Sequence, residues 1–284
     1  MTKIFSKLIF TFLKLLDSIF YSITKRSFLI YFYDFLQDNY KTQINILNQS
    51  ISFFTPNYIT RWRVNTFFTK EPETLEWIDS FEKKNNFIFW DIGSNIGLYS
   101  IYNAIKNPNS ITISFEPSAS NLKILSRNVY INNFQNKIKI FSLPLSNKEN
   151  EFLKMKEGDL SDGSALNTVG ENFDFEGKEF KAEIEYELMA TNINYLLEKK
   201  ILEVPDYIKI DVDGIEHLIL DGANKYLKNK KIKSLSIEIN ENFKEQFNQV
   251  LKIMKDNEFK ILHKKNNINV AEKFKNTFNY IFIR

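Results

Sequence analysis

Polar residues recur along the first stretch of the chain at spacings of three and four: Lys3, Lys7, Thr11, Lys14, Ser18, Ser22 and Lys25. Between them stand Ile4, Phe5, Leu8, Ile9, Phe10, Phe12, Leu13, Leu15, Leu16, Ile19, Phe20 and Tyr21. The period is helical, and it draws a narrow, mostly cationic stripe on a wide apolar face. Lys7 and Lys14 interrupt the apolar run and no small-residue cleavage site follows, so a cleaved signal peptide is not expected. Nor is a spanning helix, which needs about 20 nearly uncharged residues. Two placements suit residues 1–25: a membrane interface with lysines toward anionic headgroups, or packing on the following domain or a second copy of the chain. Ser27 to Tyr40 continues aromatic and helical, and residues 1–50 read as an amphipathic helical extension.

From about Phe87 strands alternate with helices. Phe87-Ile88-Phe89-Trp90 is a short apolar run, the pattern of a strand buried on both faces. It ends in Asp91 and a glycine loop, after which Ile96 to Lys106 reads as a helix. Ile111 to Phe115 is the next strand, closed by Glu116-Pro117, with Ser118 as N-cap of a helix to about Asn132. Lys137 to Leu145 makes a third strand. Tyr207 to Ile210 makes a fourth, ended by Asp211-Val212-Asp213-Gly214 and followed by a helix from Glu216 to Leu227. Lys233 to Ile239 is a fifth, and a helix then runs to about Asn257. Lys260 to His263 and Phe278 to Ile283 supply a closing antiparallel pair. The alternation implies an α/β, Rossmann-like doubly wound sheet, mostly parallel with a C-terminal antiparallel pair. It occupies residues 51–284 and is interrupted at about 147–186 by a loop-rich insertion with one or two hairpins.

Composition narrows what such a domain does. Basic residues exceed acidic ones by 38 − 35 = +3, too little for the strongly basic face that nucleic acid demands. The absence of cysteine removes disulfides, thiolate nucleophiles and thiolate zinc sites, and fits a reducing, cytoplasmic setting. Two histidines, His217 and His263, leave little material for a histidine metal site.

In an open α/β sheet, ligands bind beyond the carboxyl ends of the strands, where strand order reverses. The first turn there reads Asp91-Ile92-Gly93-Ser94-Asn95-Ile96-Gly97. Gly93 and Gly97 let backbone approach a ligand with no Cβ in the way, and Asn95 can hold the tight turn with its amide. Asp91 can accept from a ligand amine. Glu116 follows Gly93 by 116 − 93 = 23 residues, close to the offset of about 20 of a ribose-binding acid. A dinucleotide loop carries a third glycine so that pyrophosphate reaches the helix N-terminus; here Asn95 holds the middle position. S-adenosylmethionine has no phosphate and suits this looser loop. Tyr102 and Lys106 have the Tyr-x-x-x-Lys spacing of a hydride-transfer pair but sit in the first helix, away from the strand ends. The cofactor residues expected are Asp91, Gly93, Ser94, Asn95, Gly97, Glu116, Pro117, Ser118 and Asp211.

With these motifs in order, the chain resembles the FkbM-type methyltransferase family from about Phe54 to Asn240. The strongest pieces are Trp90 to Ser100, Phe115-Glu116-Pro117 and Ile208 to Glu216, with Leu220-Asp221-Gly222-Ala223 and Ile237-Glu238 also similar. The resemblance implies methyl transfer from S-adenosylmethionine to an oxygen, often on sugars or natural products. The family commonly has Glu where this chain has Asp213, and Ala where it has Ser94. The end of the third strand, Ser142 to Ser146, also departs from the pattern.

Such a transfer is an in-line displacement at an already electrophilic methyl, so the protein must align the acceptor oxygen and help remove its proton. Asp211, Asp213, Glu216 and Glu238 are the candidate catalytic carboxylates, Asp211 first and Asp213 next. Glu216 also suits a plain helix N-terminal acid. Clustered oxygens would accept Mg²⁺ or Mn²⁺, but no full ligand set is fixed and no metal is assigned. His217 is the one histidine near these acids. Arg61, Trp62, Arg63, Lys70, Glu71 and Glu73 precede the first strand and form either an acceptor-contacting lid or a structural collar with a Trp77-anchored helix and an ion pair. The reading is an O-methyltransferase for a sugar, glycan or glycolipid precursor. The alternatives are a nicotinamide-dependent oxidoreductase and a non-catalytic, membrane-associated module that retains the cofactor fold.

Overall fold

In the computed structural model, which describes residues 1–83, 86–266 and 272–284, the aromatic N-terminus forms α1 (Thr2–Thr24) and α2 (Phe28–Asn39). Lys25 takes a left-handed conformation that ends α1. The Asp17 carboxylate then accepts from the Ser27 hydroxyl at 2.8 Å and from the N–H groups of Phe28 and Leu29 at 2.7 and 3.1 Å. These N–H groups begin α2 and have no partner within the helix, so Asp17 fixes the helical hairpin. Residues 1–42 and 43–284 are separate units. Among the described residues no helix is long and apolar enough to cross a membrane.

Residues 41–54 depart from the expected helical extension. They form a hairpin of β1 (Lys41–Ile46) and β2 (Gln49–Phe54), joined by Leu47 and Asn48, both at positive φ. Two such residues match the right-handed twist of the flanking strands. Ile46, Ile51, Phe53 and Phe54 are buried. Three short helices follow, α3 (Tyr58–Asn65), α4 (Phe67–Lys70) and α5 (Pro72–Asp79). Trp77 anchors α5 by donating its indole N–H to Ser234 at 2.8 Å.

Beyond them run β3 (Ile88–Ile92), α6 (Leu98–Lys106), β4 (Ile111–Phe115), α7 (Ala119–Ile131) and β5 (Ile138–Phe141). The insertion contributes β6 (Glu151–Glu157), β7 (Thr168–Val169) and β8 (Ile184–Ala190), an antiparallel sheet in the order β7-β6-β8. Then come α8 (Ile193–Glu198), β9 (Tyr207–Ile210), α9 (Glu216–Asp221), β10 (Ser234–Asn240), α10 (Lys244–Asp256), β11 (Lys260–Lys265) and β12 (Thr277–Ile283). The main sheet has the order β5-β4-β3-β9-β10-β12-β11. Strands β5 through β10 pair in parallel, and β12 runs antiparallel to both β10 and β11. This is the doubly wound sheet with a closing antiparallel pair that the sequence implies. Its order reverses between β3 and β9, which puts their C-terminal turns side by side at the ligand position of such sheets.

Both faces of the sheet are covered, which is why the strands read as unbroken apolar runs. Trp90 and Ile92 of β3 pack with Ile208 and Ile210 of β9 in one cluster, while Phe89 and Tyr207 belong to the other. The third strand stops at Phe141, four residues short of its expected end. Helix α9 stops at Asp221, where the backbone bonds tighten to i to i+3, the Ala223 N–H donating to the Leu220 carbonyl at 3.0 Å and the Asn224 N–H to that of Asp221 at 3.2 Å.

One fully buried side chain ties the hairpin to the first loop of the sheet. Asn128 of α7 accepts from the Phe54 N–H at 2.7 Å and donates to the Ile96 carbonyl at 2.9 Å. Replacing it strands two buried backbone groups, each costing about 1–3 kcal/mol. Asn128→Ala is therefore expected to lower the urea-unfolding free energy by about 2–4 kcal/mol; a loss below about 0.5 kcal/mol would show that the linkage is not structural.

Candidate cofactor and acceptor site

The turn after β3 is shaped by its neighbour on β9. Gly93 sits at φ +83°, and a Cβ there would lie 1.8 Å from the carbonyl oxygen of Asp211. Gly97 sits at φ +87° with its Cα hydrogens against Leu125, 2.5 Å from where a Cβ would be. These close approaches are to the turn after β9 and to α7, and Gly93 also lines the main cavity. Asp91 is completely buried below the loop, accepting from Ser100 at 2.5 Å, and burial raises its carboxyl pKa. Ser94 donates back to the Asp91 carbonyl at 2.6 Å.

Glu116, at the end of β4, receives the N–H of Asn95 at 2.7 Å on one oxygen and that of Ser118 at 3.0 Å on the other. Burial nevertheless pushes its pKa up to about 8. The Asn121 side chain also bonds this carboxylate, and the residue lines the main cavity, where a ribose-binding acid is expected. Ser118 caps α7, accepting from the Asn121 N–H at 3.4 Å.

The cavity has a volume of about 900 Å³, near the top of the range of roughly 300–1,000 Å³ for small-molecule sites. Of the expected cofactor residues, Gly93, Asn95, Glu116, Pro117 and Asp211 line it. Asp91, Ser94, Gly97 and Ser118 stand behind that wall and shape the loop. Leu143, Pro144 and Leu145, after the third strand, give it an apolar flank. The insertion supplies a further wall, pinned by side chains from across the fold. Asn95 and Asn121 both donate to the Ser164 carbonyl, at 2.8 and 3.0 Å. Arg63 donates to the Gly163 carbonyl at 2.6 Å, and Asn57 to that of Asp162 at 2.8 Å.

The turn after β9 carries the acids. Carboxylate oxygens of Asp211, Asp213 and Glu238 lie within 4.8 Å of one another, a spacing that can hold a hard divalent cation. Asp213 takes a left-handed φ of 61° and accepts from the Leu166 N–H at 2.7 Å. Burial, with Asp211 beside it, raises its pKa to about 6, and burial and Asp211 raise Glu238 well above the carboxylate range. Glu216 does not join them. Its buried carboxylate turns back beneath the loop, accepting from the N–H groups of Val212 and Gly214 and from Gln246, and burial lifts its pKa to about 7. Glu216 thus holds the acid turn and lines no part of the cavity. His217 is also outside the cavity, packed beside Phe173 and Phe243.

One group at the site, Lys209, escapes sequence reasoning, and it acts together with Glu71 of the expected lid or collar. Lys209 is 1% exposed, donates to Asp211 at 2.6 Å and lies 4.9 Å from the Tyr99 ring centre. Burial works against its charge, but Asp211, Glu71 and Asp91 outweigh burial and raise its pKa. Glu71 meets Lys70 at 2.6 Å; burial opposes its ionisation, yet Lys70 and Lys209 hold its pKa down at about 2. Trp62, Arg63, Lys70, Glu71 and Glu73 all line the cavity, while Trp77 and the Lys70–Glu71 pair form the collar. The two readings of that segment therefore coexist, and Arg61 is exposed outside both.

Residues 91–261, more than half of the chain, match the family model described as the methyltransferase FkbM domain. The methyltransferase sdnD of Sordaria araneosa is 26% identical over 178 residues, covering 56% of this chain and 69% of that protein. Among solved structures, the precorrin-6y C5,15-methyltransferase of Geobacter metallireducens aligns with 75% of this chain and 86% of its own, at 13% identity and a TM-score of 0.45. TrmK of M. capricolum, in complex with S-adenosyl-homocysteine, aligns with 74% and 66% at 16% identity and a TM-score of 0.42.

A carboxyl with a raised folded pKa contributes full stability below its ordinary value and loses it as pH climbs through the folded one. For Glu116 that window runs from 4.5 to about 8, and Glu216 and Asp213 act in the same direction up to about 7 and about 6. The ligand-free protein is expected to lose stability across it. In Glu116→Gln the loss, measured by urea unfolding at pH 5 and pH 8, is expected to be smaller by about 1–3 kcal/mol. An unchanged slope would remove Glu116 from this account.

Proposed function

We propose that this chain, which belongs to the FkbM methyltransferase family and is an S-adenosylmethionine-dependent methyltransferase, methylates a hydroxyl of a sugar, glycan or glycolipid precursor. Family membership sets aside the nicotinamide oxidoreductase. The observation that carries the acceptor reading is the convergence of Asp211, Asp213 and Glu238 at the rim of a cavity that also holds Trp62, Phe274 and Asn279. Aromatic faces and paired polar groups are what a polyhydroxylated acceptor offers its own faces and edges to.

We assign the methyl donor to the pocket of Gly93, Asn95, Glu116, Pro117 and Asp211, with Asp91, Ser94, Gly97 and Ser118 fixing the loop from behind. The bound donor supplies an electrophilic methyl and a neutral leaving thioether. The chain's own share is alignment and proton removal. Asp211 is engaged by Lys209, so its lone pairs suit orienting an acceptor. Asp213, with a pKa raised to about 6, is a base still ionised at neutral pH, and it moves ahead of Asp211, which Lys209 already engages. As the acceptor oxygen forms its bond to the methyl carbon, the carbon–sulfur bond breaks and the hydroxyl proton passes to the carboxylate. Domain limits of 43–284, which take in the hairpin expected to lie in the extension, with the insertion at 147–186 walling the cavity, complete the proposal. We place the enzyme in the cytoplasm at the inner face of a membrane, with residues 1–25 as its contact.

Isothermal titration tests the donor half: S-adenosylhomocysteine binds, NAD does not, and Glu116→Ala weakens binding about 10–100-fold. For the acceptor half, turnover against a panel of sugars and glycolipid precursors identifies the substrate. Asp213→Asn then lowers kcat about 100-fold or more while donor affinity holds. In the wild type kcat/KM falls as pH drops below about 6, where Asp213 takes up its proton, and the variant lacks that limb. No turnover with any hydroxyl acceptor, despite tight donor binding, would leave a cofactor-retaining module instead.

A further inference from the structure

The N-terminal unit carries an exposed apolar surface. No residue of α1 or α2 is buried, and Phe5, Leu8, Phe12, Leu15, Ile19 and Ile23 of α1 are each more than half exposed. At 100° per residue these six fall within about 80°, and Ile4, Ile9, Leu16 and Phe20, also exposed, widen the apolar face to about 160°, broader than the seam a coiled coil buries. The other half presents Lys3, Lys7 and Lys14, continued by Lys25 and Arg26 in the turn. Asp17 is the single acid among residues 2–27, leaving 5 − 1 = +4, and its carboxylate is already taken by Ser27, Phe28 and Leu29.

We propose that the α1–α2 hairpin is a preformed anchor for an anionic lipid surface, lying in the interface with its apolar half among the acyl chains. The inference rests on the membrane placement proposed above and gives it a lipid chemistry. Charge decides between the two occupants the apolar face would accept. A second copy would bring +4 toward +4 on α1 with no free acid on that helix to pair them, whereas anionic headgroups complement the stripe. The long lysine stems reach the headgroup layer while their chains cover apolar surface. Tyr21, Tyr31 and Tyr33 are exposed and suit the same depth, where an apolar ring meets a polar hydroxyl. Asp34 and Asp38 stand four apart on α2 and are exposed. The Asp17 lock gives the hairpin its shape before it meets the surface, so less ordering remains to be done on binding.

Flotation of the full chain tests this on vesicles of phosphatidylcholine and of equimolar phosphatidylcholine and phosphatidylglycerol. The protein is expected to float with the anionic vesicles and to stay at the bottom with the zwitterionic ones. The triple variant K3Q/K7Q/K14Q keeps the helix and its apolar face and is expected to bind anionic vesicles about 100-fold more weakly. L8D/F12D is expected to abolish flotation on the anionic vesicles. S-adenosylhomocysteine titration of the same samples reports the methyl-donor site separately, so a failed anchor and a failed enzyme are told apart. Absence of flotation on anionic vesicles would overturn the proposal, as would equal binding to both compositions. A stable dimer in sedimentation that dissociates in L8D/F12D, without vesicle binding, would assign the face to a second copy instead.

Discussion

Gly93 rests on the carbonyl oxygen of Asp211 at a separation that leaves no space for a methyl group. That single close approach joins the turn after β3 to the turn after β9, the two loops on either side of the point where strand order reverses. Because β3 and β9 pair in parallel, Trp90 opposite Ile208 and Ile92 opposite Ile210, their C-terminal turns emerge at one level. A donor seated on the first turn therefore lies within reach of the acids on the second. Sheet topology supplies the proximity, and the missing Cβ lets the two backbones use it.

Electrostatics beneath this contact follow the same logic. A lysine buried at β9 would be costly alone, several kcal/mol after relaxation. Lys209 is surrounded by Asp211, Asp91 and Glu71, delivered by β9, β3 and the segment before α5. Those acids gain a cation in return, and Glu71 remains ionised even though it is buried. For Asp213 and Glu238, burial and Asp211 outweigh the pull of Lys70, and both are raised. Glu71 is thus held charged by its lysines while Asp213 and Glu238 are readier to take a proton, a division that enzymes use to separate orienting groups from bases.

The alternation of strands and helices was legible because each strand is buried on both faces and each is closed by a turn with its own chemistry. The loop from Asp91 to Gly97 and the acid Glu116 could be read for the same reason: their spacing depends on one βαβ unit. Features set by distant parts of the chain could not. Lys209 sits in Tyr207-Ile208-Lys209-Ile210 like any solvent-facing member of an alternating strand, and only the fold brings Glu71 and Asp91 to it. Ser164 and Gly163 are held through their carbonyls, which leave no mark in a sequence. Glu216 looked catalytic because it follows Asp211 and Asp213 so closely, yet the turn it follows needed its amides satisfied and consumed it. The hairpin at 41–54 was hidden because Leu47-Asn48 lacks the glycine that usually announces a two-residue turn.

The central claim is that Gly93 serves the union of the two turns, and donor binding depends on that union. Titration of Gly93→Ala with S-adenosylhomocysteine, beside a urea-unfolding curve for the same sample, tests it most directly. The account expects a protein that still unfolds cooperatively, with donor binding weakened at least about 100-fold as the turn is pushed off Asp211. Wild-type affinity in Gly93→Ala would contradict it, because the loop would then tolerate the Cβ and the two turns would not be a single device.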